Sequence, residues 1–509
     1  DIFQTKYVNK QLAKHKEFFN NVESKPLTKK QRVACVIDDD NNLLLAGAGT
    51  GKTSVMVGRA GFLVESNQAN YNDMLLLAYG RKAAEEMDER IKLRLNTNKI
   101  KASTFHSLGL NIISTVEGKA PNISSFSENE KLKNDWLEQS FEALINNDST
   151  YRKRVLTYVN QHYYLEQKQD DFNSLAEYYE YINASDIRTH NDEKVNSFAE
   201  RHIANWLFNH GVAYQYNTPY SFDVKSINHK KYQPSFYLPE YDLYLDYGFI
   251  DYGFIGDDLI GNGDDHLIEG GDLDDGDKDA IENAAGSEIA SPKNTVQWIE
   301  ETHAQHGTRC KILTNLHYQQ GTLFKELKKA CTKFNIQYEV LAPETQIVSL
   351  KETGIITELA KLLCKLLGLY KGAHFGKNTK TNAAILDNAN LSNATNTKQC
   401  KAAIALLKPM LKAYNNYLLE RNEIDFDDMI TKAIGYVESG RFKSPWRYLM
   451  VDEFQDISAP RARLVKALRD NHKGSSVFAV GDDWQAIYRF SGADIRLTTQ
   501  FSTYFGFTT

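Results

Sequence analysis

Residues 41–54 read NNLLLAGAGTGKTS: an apolar run, three glycines within five positions, and a lysine that opens a segment with helical spacing. A strand of continuous apolar residues that turns through glycines directly into a helix belongs in a parallel sheet covered on both faces. This is the tightest constraint in the chain, and the same alternation recurs. MLLLAY (74–79) and IKASTF (100–105) read as strands, with the charged helix RKAAEEMDERIKLRL (81–95) between them. Near the end come a strand in WRYLMVDE (446–453), a helix in APRARLVKALRD (459–470) that Ser458 is expected to cap, and a strand in SSVFAVGD (475–482). The expected fold class is α/β.

The turn carries its own chemistry. AGAGTGKTS (46–54) fits a small residue, four further residues, then Gly-Lys-Ser/Thr. Ala46, Gly47, Ala48, Gly49, Thr50, Gly51, Lys52, Thr53 and Ser54 are therefore candidate nucleotide-binding residues. The glycines let backbone N–H groups curl around phosphate oxygens, Lys52 reaches the outer phosphates, and the Thr53 hydroxyl is available to Mg²⁺. The plainer alternative is a glycine-rich strand-to-helix turn. The phosphate reading also accounts for YLMVDEFQDIS (448–458), where a buried-looking strand ends on adjacent carboxylates. Such charges are costly to bury unless they are paired or hold a metal. At the end of a neighbouring strand, Asp452 is placed to hold Mg²⁺ through water and Glu453 to orient and deprotonate an attacking water. ATP and Mg²⁺ are the expected cofactors.

The whole-chain charge of −6 does not exclude a nucleic-acid partner. Residues 251–282 hold twelve Asp/Glu and one Lys, a local −11, so the remaining residues carry +5 between them. That acidic stretch reads as a solvated loop, because EF-hand spacing fails there: counting from Gly276, Gly271 and Leu273 fall where ligands belong. The five cysteines form no Cys-x-x-Cys pair, and no stretch approaches the ~20 apolar residues of a membrane span. Free thiols, no zinc site, no membrane partner and a cytoplasmic location are expected. Residues 106–190 and 346–440 look helical; residues 191–345 are rich in tyrosine and strand-like, with a short duplication, DYGFIDYGFI (246–255).

VDEFQD together with GDDWQAIYRFSGAD (481–494) resembles the UvrD/Rep group of superfamily 1 helicases, the helicase IV branch most closely. LLLAYGRKAAEEMDERI (75–91), STFHSLG (103–109), IDFDDMI (424–430) and SPWRYLMVDEFQDIS (444–458) look like segments of the same family. The resemblance covers about 1–115 and 400–509 well. It implies a RecA-like P-loop domain (1–112 and 421–509), a helical accessory domain (113–190 and 346–420) and, at 191–345, an inserted module. PLTKKQR (26–32) looks like the Q motif, whose Gln31 amide pairs with adenine. Gln485 looks like the residue that senses the γ-phosphate and links it to DNA. Tyr79, Tyr488 and Phe490 match aromatic positions on the DNA face, and Thr104 and His106 match a segment touching the DNA backbone. Stacking suits a motor that grips any base, at ~1–3 kcal/mol each. The alternative for each aromatic is a core residue, and for His106 backbone contact or helix capping rather than catalysis.

Ser491 departs from the Arg of many family members. The opening DIFQTKYVNK is expected to be preceded by further sequence. The chain is expected to stop short of the second motor domain and its γ-phosphate arginines, so that by itself it binds ATP and hydrolyses it poorly. The insert resembles a PD-(D/E)xK nuclease-like module in 195–221, 232–248 and 306–313, with Glu200 and Asp246 at acid positions. Ser235 stands at another acid position and Gly248 where lysine is usual, so the insert is expected to be inactive. The resemblance thus implies an ATP-dependent 3′→5′ helicase acting on single-stranded DNA and DNA junctions. Its rivals are a helicase–nuclease and a non-motor, ATP-regulated DNA-binding module.

Overall fold

The computed structural model describes residues 2–47, 49–164, 166–167, 172, 174–224, 232–248, 292–372, 394–482 and 493–508. The chain divides into two compact units, 1–151 with 359–509, and 152–358. In chain order the strands are β1 (Asn41–Leu45), β2 (Met74–Ala78), β3 (Ala102–Thr104), β4 (Asn122–Ile123), β5 (Gln215–Tyr216), β6 (Phe236–Leu238), β7 (Leu243–Gly248), β8 (Arg309–Thr314), β9 (Glu423–Ile424), β10 (Tyr448–Val451) and β11 (Ser476–Gly481).

In the first unit β1-β11-β10-β2-β3 form one sheet, parallel throughout. Alternation along each strand divides the core into two layers. Leu75, Leu77, Leu449, Val451, Val477 and Ala479 pack with Leu108, Ile112, Ile434 and Leu464 on one face. Met74, Leu76, Tyr448, Met450, Phe478 and Val480 pack with Val57, Phe62, Met87 and Ile91 on the other. Burial on both faces is why these strands read as unbroken apolar runs. The register pairs Leu45 with Gly481, and Val451 with both Ala479 and Leu77. The C-terminal ends of β1, β11, β10 and β2 therefore share one edge, the edge at which open α/β sheets bind ligands.

The expected helices over 52–64, 81–95 and 459–470 appear as Lys52–Glu65, Arg81–Leu95 and Ala459–Asn471. Ser458 does sit at the N-cap of the last, but its side chain makes no capping bond; Pro460 in the first turn, which has no N–H to satisfy, reduces the need for one. Arg59 is buried within the second layer, donates to the carbonyls of Ala34, Cys35 and Ile37, and lies 4.6 Å from the Phe478 ring. It ties the end of helix Lys29–Val36 to helix Lys52–Glu65. Helices Glu130–Asn147, Ile355–Gly372, Ala394–Glu420 and Phe426–Glu438 supply the expected helical segments.

The second unit is α+β. Its sheet runs β5-β6-β7-β8, antiparallel across the first three strands and parallel between β7 and β8. Ile203, Leu207, Phe236, Leu245, Leu313 and Leu327 form its core beneath helices Phe198–Asn209 and Leu323–Lys333. The acidic stretch 251–282 and most of the 246–255 duplication lie outside the described residues. All five cysteines are free thiols. No helix of the described residues is long and apolar enough to cross a membrane.

Candidate nucleotide and nucleic-acid site

β1 leads into the glycine loop. Thr50 closes it by donating from its N–H and its hydroxyl to the Gly47 carbonyl, at 3.3 and 2.7 Å. Gly49 and Gly51 have φ of +70° and +86°, which side chains rarely adopt. At Gly51 space is also short, since a Cβ there would stand 2.6 Å from Gln31 Nε2. Gly47, Gly49 and Thr50 are exposed, and Lys52 and Thr53 open the helix half-buried; Ala48 lies outside the described residues. Ser54 is already engaged, its hydroxyl accepting from Arg90 at 2.7 Å.

Gln31 is on the loop's flank. Its Oε1 accepts from the Thr28 N–H at 2.8 Å in a capping box, and its Nε2 donates to the Thr50 carbonyl at 2.8 Å. Each amide atom keeps one further hydrogen-bonding function.

Asp452 and Glu453 follow β10 at the shared edge. The Asp452 N–H continues the ladder to the Leu77 carbonyl at 2.8 Å. Its buried carboxylate accepts one hydrogen bond among the described residues, from the Glu453 N–H at 3.0 Å. Burial, reinforced by the neighbouring Glu453 charge, pushes Asp452 up to about 6. Glu453 has φ +47°, uncommon for a residue with a side chain. Its Oε2 meets Lys52 Nζ at 3.2 Å and accepts from Gln455 Nε2 at 2.7 Å. Loop lysine and strand-end acid, 401 positions apart in the sequence, are thus in direct contact.

A second group of side chains follows β2 and β3. The Arg461 guanidinium lies 4.9 Å from the Tyr79 ring and 5.7 Å from that of Phe105. Thr104 caps helix Phe105–Glu117, its hydroxyl accepting from the Ser107 N–H at 3.1 Å. The capping role considered for His106 therefore belongs to Thr104. His106 instead stacks on Phe426 at 4.6 Å, and burial together with the Arg461 charge lowers it to about 4, leaving a neutral imidazole at physiological pH. Gln485, Tyr488, Phe490 and Ser491 lie outside the described residues.

The model of the UvrD/REP helicase N-terminal domain matches residues 27–228 and 284–506. The chain belongs to the UvrD/REP helicase family. It is 28% identical to DNA helicase IV of Escherichia coli (strain K12) over 500 residues, which is 98% of this chain and 46% of that protein. It is 31% identical over 124 residues to ATP-dependent DNA helicase Rep of the same organism, 23% of this chain and 18% of Rep. Over 87 residues it is 37% identical to DNA helicase II of Rickettsia typhi, 17% of this chain and 13% of that helicase. The chain thus spans less than half the length of these relatives.

Within this UvrD/REP family chain the second unit carries the acids of the nuclease resemblance. Asp246, on β7, accepts four hydrogen bonds. Its Oδ1 accepts from the Ser235 N–H, the Ser235 hydroxyl and the Tyr247 N–H at 3.1, 3.2 and 3.1 Å, and its Oδ2 from the Tyr232 hydroxyl at 2.8 Å. Tyr232 also meets His303 Nε2 at 3.0 Å, and His303 Nδ1 meets the Thr308 hydroxyl at 2.7 Å. Glu200 accepts from the Asn196 N–H and from the hydroxyls of Ser197 and Tyr216 at 3.0–3.3 Å, and burial holds its carboxyl above the usual range. Among the described residues no three His, Cys, Asp or Glu are grouped to hold a metal.

Four contributors escaped the sequence reading. Gln455 bridges Glu453 to the Asp482 N–H; Asp482 Oδ2 would stand 4.0 Å from a Cβ on Gly47; Arg461 covers Tyr79; and Tyr232 seals Asp246. Gln455, two residues after Glu453 in DEFQD, and Asp482, second in GDDWQ, carried a local signal; Arg461 carried none.

Proposed function

We propose that this chain is the ATP-binding part of an ATP-dependent DNA helicase or translocase that works on single-stranded DNA and its junctions in the 3′→5′ direction. One observation carries the reading: Lys52 of the glycine loop and Glu453 at the end of β10 meet at 3.2 Å on the ligand-binding edge of a parallel sheet. The N–H groups of the loop from Ala46 to Ser54 cradle the phosphates, and Lys52 turns from Glu453 to the outer ones. The Thr53 hydroxyl and the Asp452 carboxylate hold Mg²⁺. Asp452 suits a cation, being buried, short of hydrogen bonds and strained in its charged form. Mg²⁺, when bound, neutralises charge that develops on the phosphates. Glu453 orients the attacking water and takes its proton. Gln31 offers its remaining N–H and lone pair to the adenine edge.

On the DNA side, the Arg461-covered Tyr79 ring stacks on bases, a sequence-tolerant grip. We assign Thr104 and His106 to the DNA backbone and, from their motif alone, Gln485 to sensing the γ-phosphate and Tyr488 and Phe490 to the DNA face. That the similar proteins are named DNA helicases supports DNA as substrate. Residues 1–112 with 421–509 form the motor domain, 113–190 with 346–420 the accessory domain, and 191–345 a nuclease-like insert. The four hydrogen bonds that engage Asp246 support an insert without nuclease activity, against the helicase–nuclease reading. Lys52→Ala tests the assignment: titration with ATP should show most of the affinity lost, and unchanged affinity would refute it.

A further inference from the structure

We propose that Gln455 is a positioning residue that keeps the Glu453 carboxylate aimed at the phosphates after nucleotide has drawn Lys52 away; this rests on the ATP-hydrolysis reading above. Lys52 and Gln455 share one acceptor, Glu453 Oε2, at 3.2 and 2.7 Å. A lysine that turns to a phosphate leaves that oxygen, and the Gln455 amide is then its remaining donor among the described residues. Glu453 needs such a tether. Its backbone is in the left-handed region, at the start of the short turn Phe454–Asp456, where an unanchored side chain has other conformations open to it.

Gln455 is built for the task. It is 2% exposed, and both ends of its amide are committed: Oε1 accepts from the Asp482 N–H at 2.9 Å while Nε2 donates to Glu453 and, at 3.3 Å, to Asp456. Acceptors on one side and an N–H on the other fix which amide atom is which. The fit extends to Gly481, where a Cβ would stand 2.8 Å from Gln455 Oε1. Because Asp482 follows β11 immediately, a shift at the end of that strand would pass through the amide to Glu453.

The test compares Gln455→Met and Gln455→Glu in the full-length protein, each alone and combined with Glu453→Gln. Methionine keeps the volume and removes both hydrogen bonds. Glutamate keeps the acceptor for the Asp482 N–H but replaces the donor with a charge facing Glu453, so it decides the question if the methionine variant fails to fold. The expected result is a fall in kcat of about 10–100-fold, the loss typical when an outer partner of a reactive group is removed. ATP affinity should stay within about threefold, because Gln455 touches no candidate phosphate ligand. In the Glu453→Gln background the Gln455 changes should cost nothing more. An unchanged kcat, a parallel loss of ATP affinity, or an equal loss in both backgrounds would overturn the proposal. If Glu453→Gln itself leaves hydrolysis intact, the hydrolytic role of Glu453 fails, and the proposal with it.

Discussion

Asp452 and Asp246 are both buried aspartates near the C-terminal ends of parallel-paired strands, and they have opposite chemistry. Asp246 accepts four hydrogen bonds from Ser235, Tyr247 and Tyr232, three on Oδ1 and one on Oδ2, so the protein supplies it with donors. Asp452 accepts one among the described residues, from its neighbour's N–H, and is pushed up to about 6. A carboxylate held by four donors from its own unit serves the fold. One left underfilled in a dry place is waiting for a cation or a proton. What separates a structural acid from a candidate metal ligand is thus the count of donors around it, more than its residue type or its place on a strand.

The contrast breaks most visibly in stability. Asp246→Ala would leave the buried Ser235 N–H without its acceptor and take one acceptor each from the Ser235 and Tyr232 hydroxyls, and should destabilise the second unit by about 3 kcal/mol in chemical denaturation. Asp452→Asn should do the reverse. At mildly alkaline pH and without nucleotide it should stabilise the first unit, on the order of 2 kcal/mol, because a charge the fold disfavours has been removed. The same variant should lose the Mg²⁺ dependence of ATP binding. A drop in stability would mean that Asp452 is better satisfied than its hydrogen bonds imply.

The pH profile sharpens the same point. With its folded value raised from the ordinary 3.8 to about 6, Asp452 adds stability below the ordinary value and loses it as pH rises through about 6. Mg²⁺-dependent ATP affinity should move the other way, rising as Asp452 deprotonates over that interval. Calorimetric titration across it should show the rise in the wild type and its absence in Asp452→Asn. The smallest expected effect is none: single- and double-stranded DNA incubated with the chain and Mg²⁺ or Mn²⁺ should stay uncut. Cleavage abolished by Asp246→Ala would make the insert a nuclease.

The parallel sheet was legible because its signals are local. MLLLA and YLMV are buried on both faces and read as unbroken apolar runs, NLLLAG reads the same way although edge strand β1 is only partly covered, and the glycine loop needs only nine consecutive residues to declare itself. The order β1-β11-β10-β2-β3 was not legible, since it follows from pairings across hundreds of residues. Site residues divide in the same way. Lys52, Asp452 and Glu453 lie in motifs. Arg461 over Tyr79 joins the 459–470 helix to the end of the 74–79 strand, two segments that nothing in the sequence pairs. In the insert, Ser235 stands at an acid position of the resemblance and its N–H and hydroxyl donate to Asp246, while Tyr232, the first residue of the 232–248 segment, donates to the other oxygen, a pairing that no residue spacing announces.

The most direct measurement is a Mn²⁺ titration followed by electron paramagnetic resonance, with ATP present, on the wild type, Asp452→Asn and Asp246→Asn. The account predicts a nucleotide-dependent Mn²⁺ site that Asp452→Asn abolishes and Asp246→Asn leaves untouched. A site that survives Asp452→Asn, or a tight site that disappears in Asp246→Asn, would contradict it.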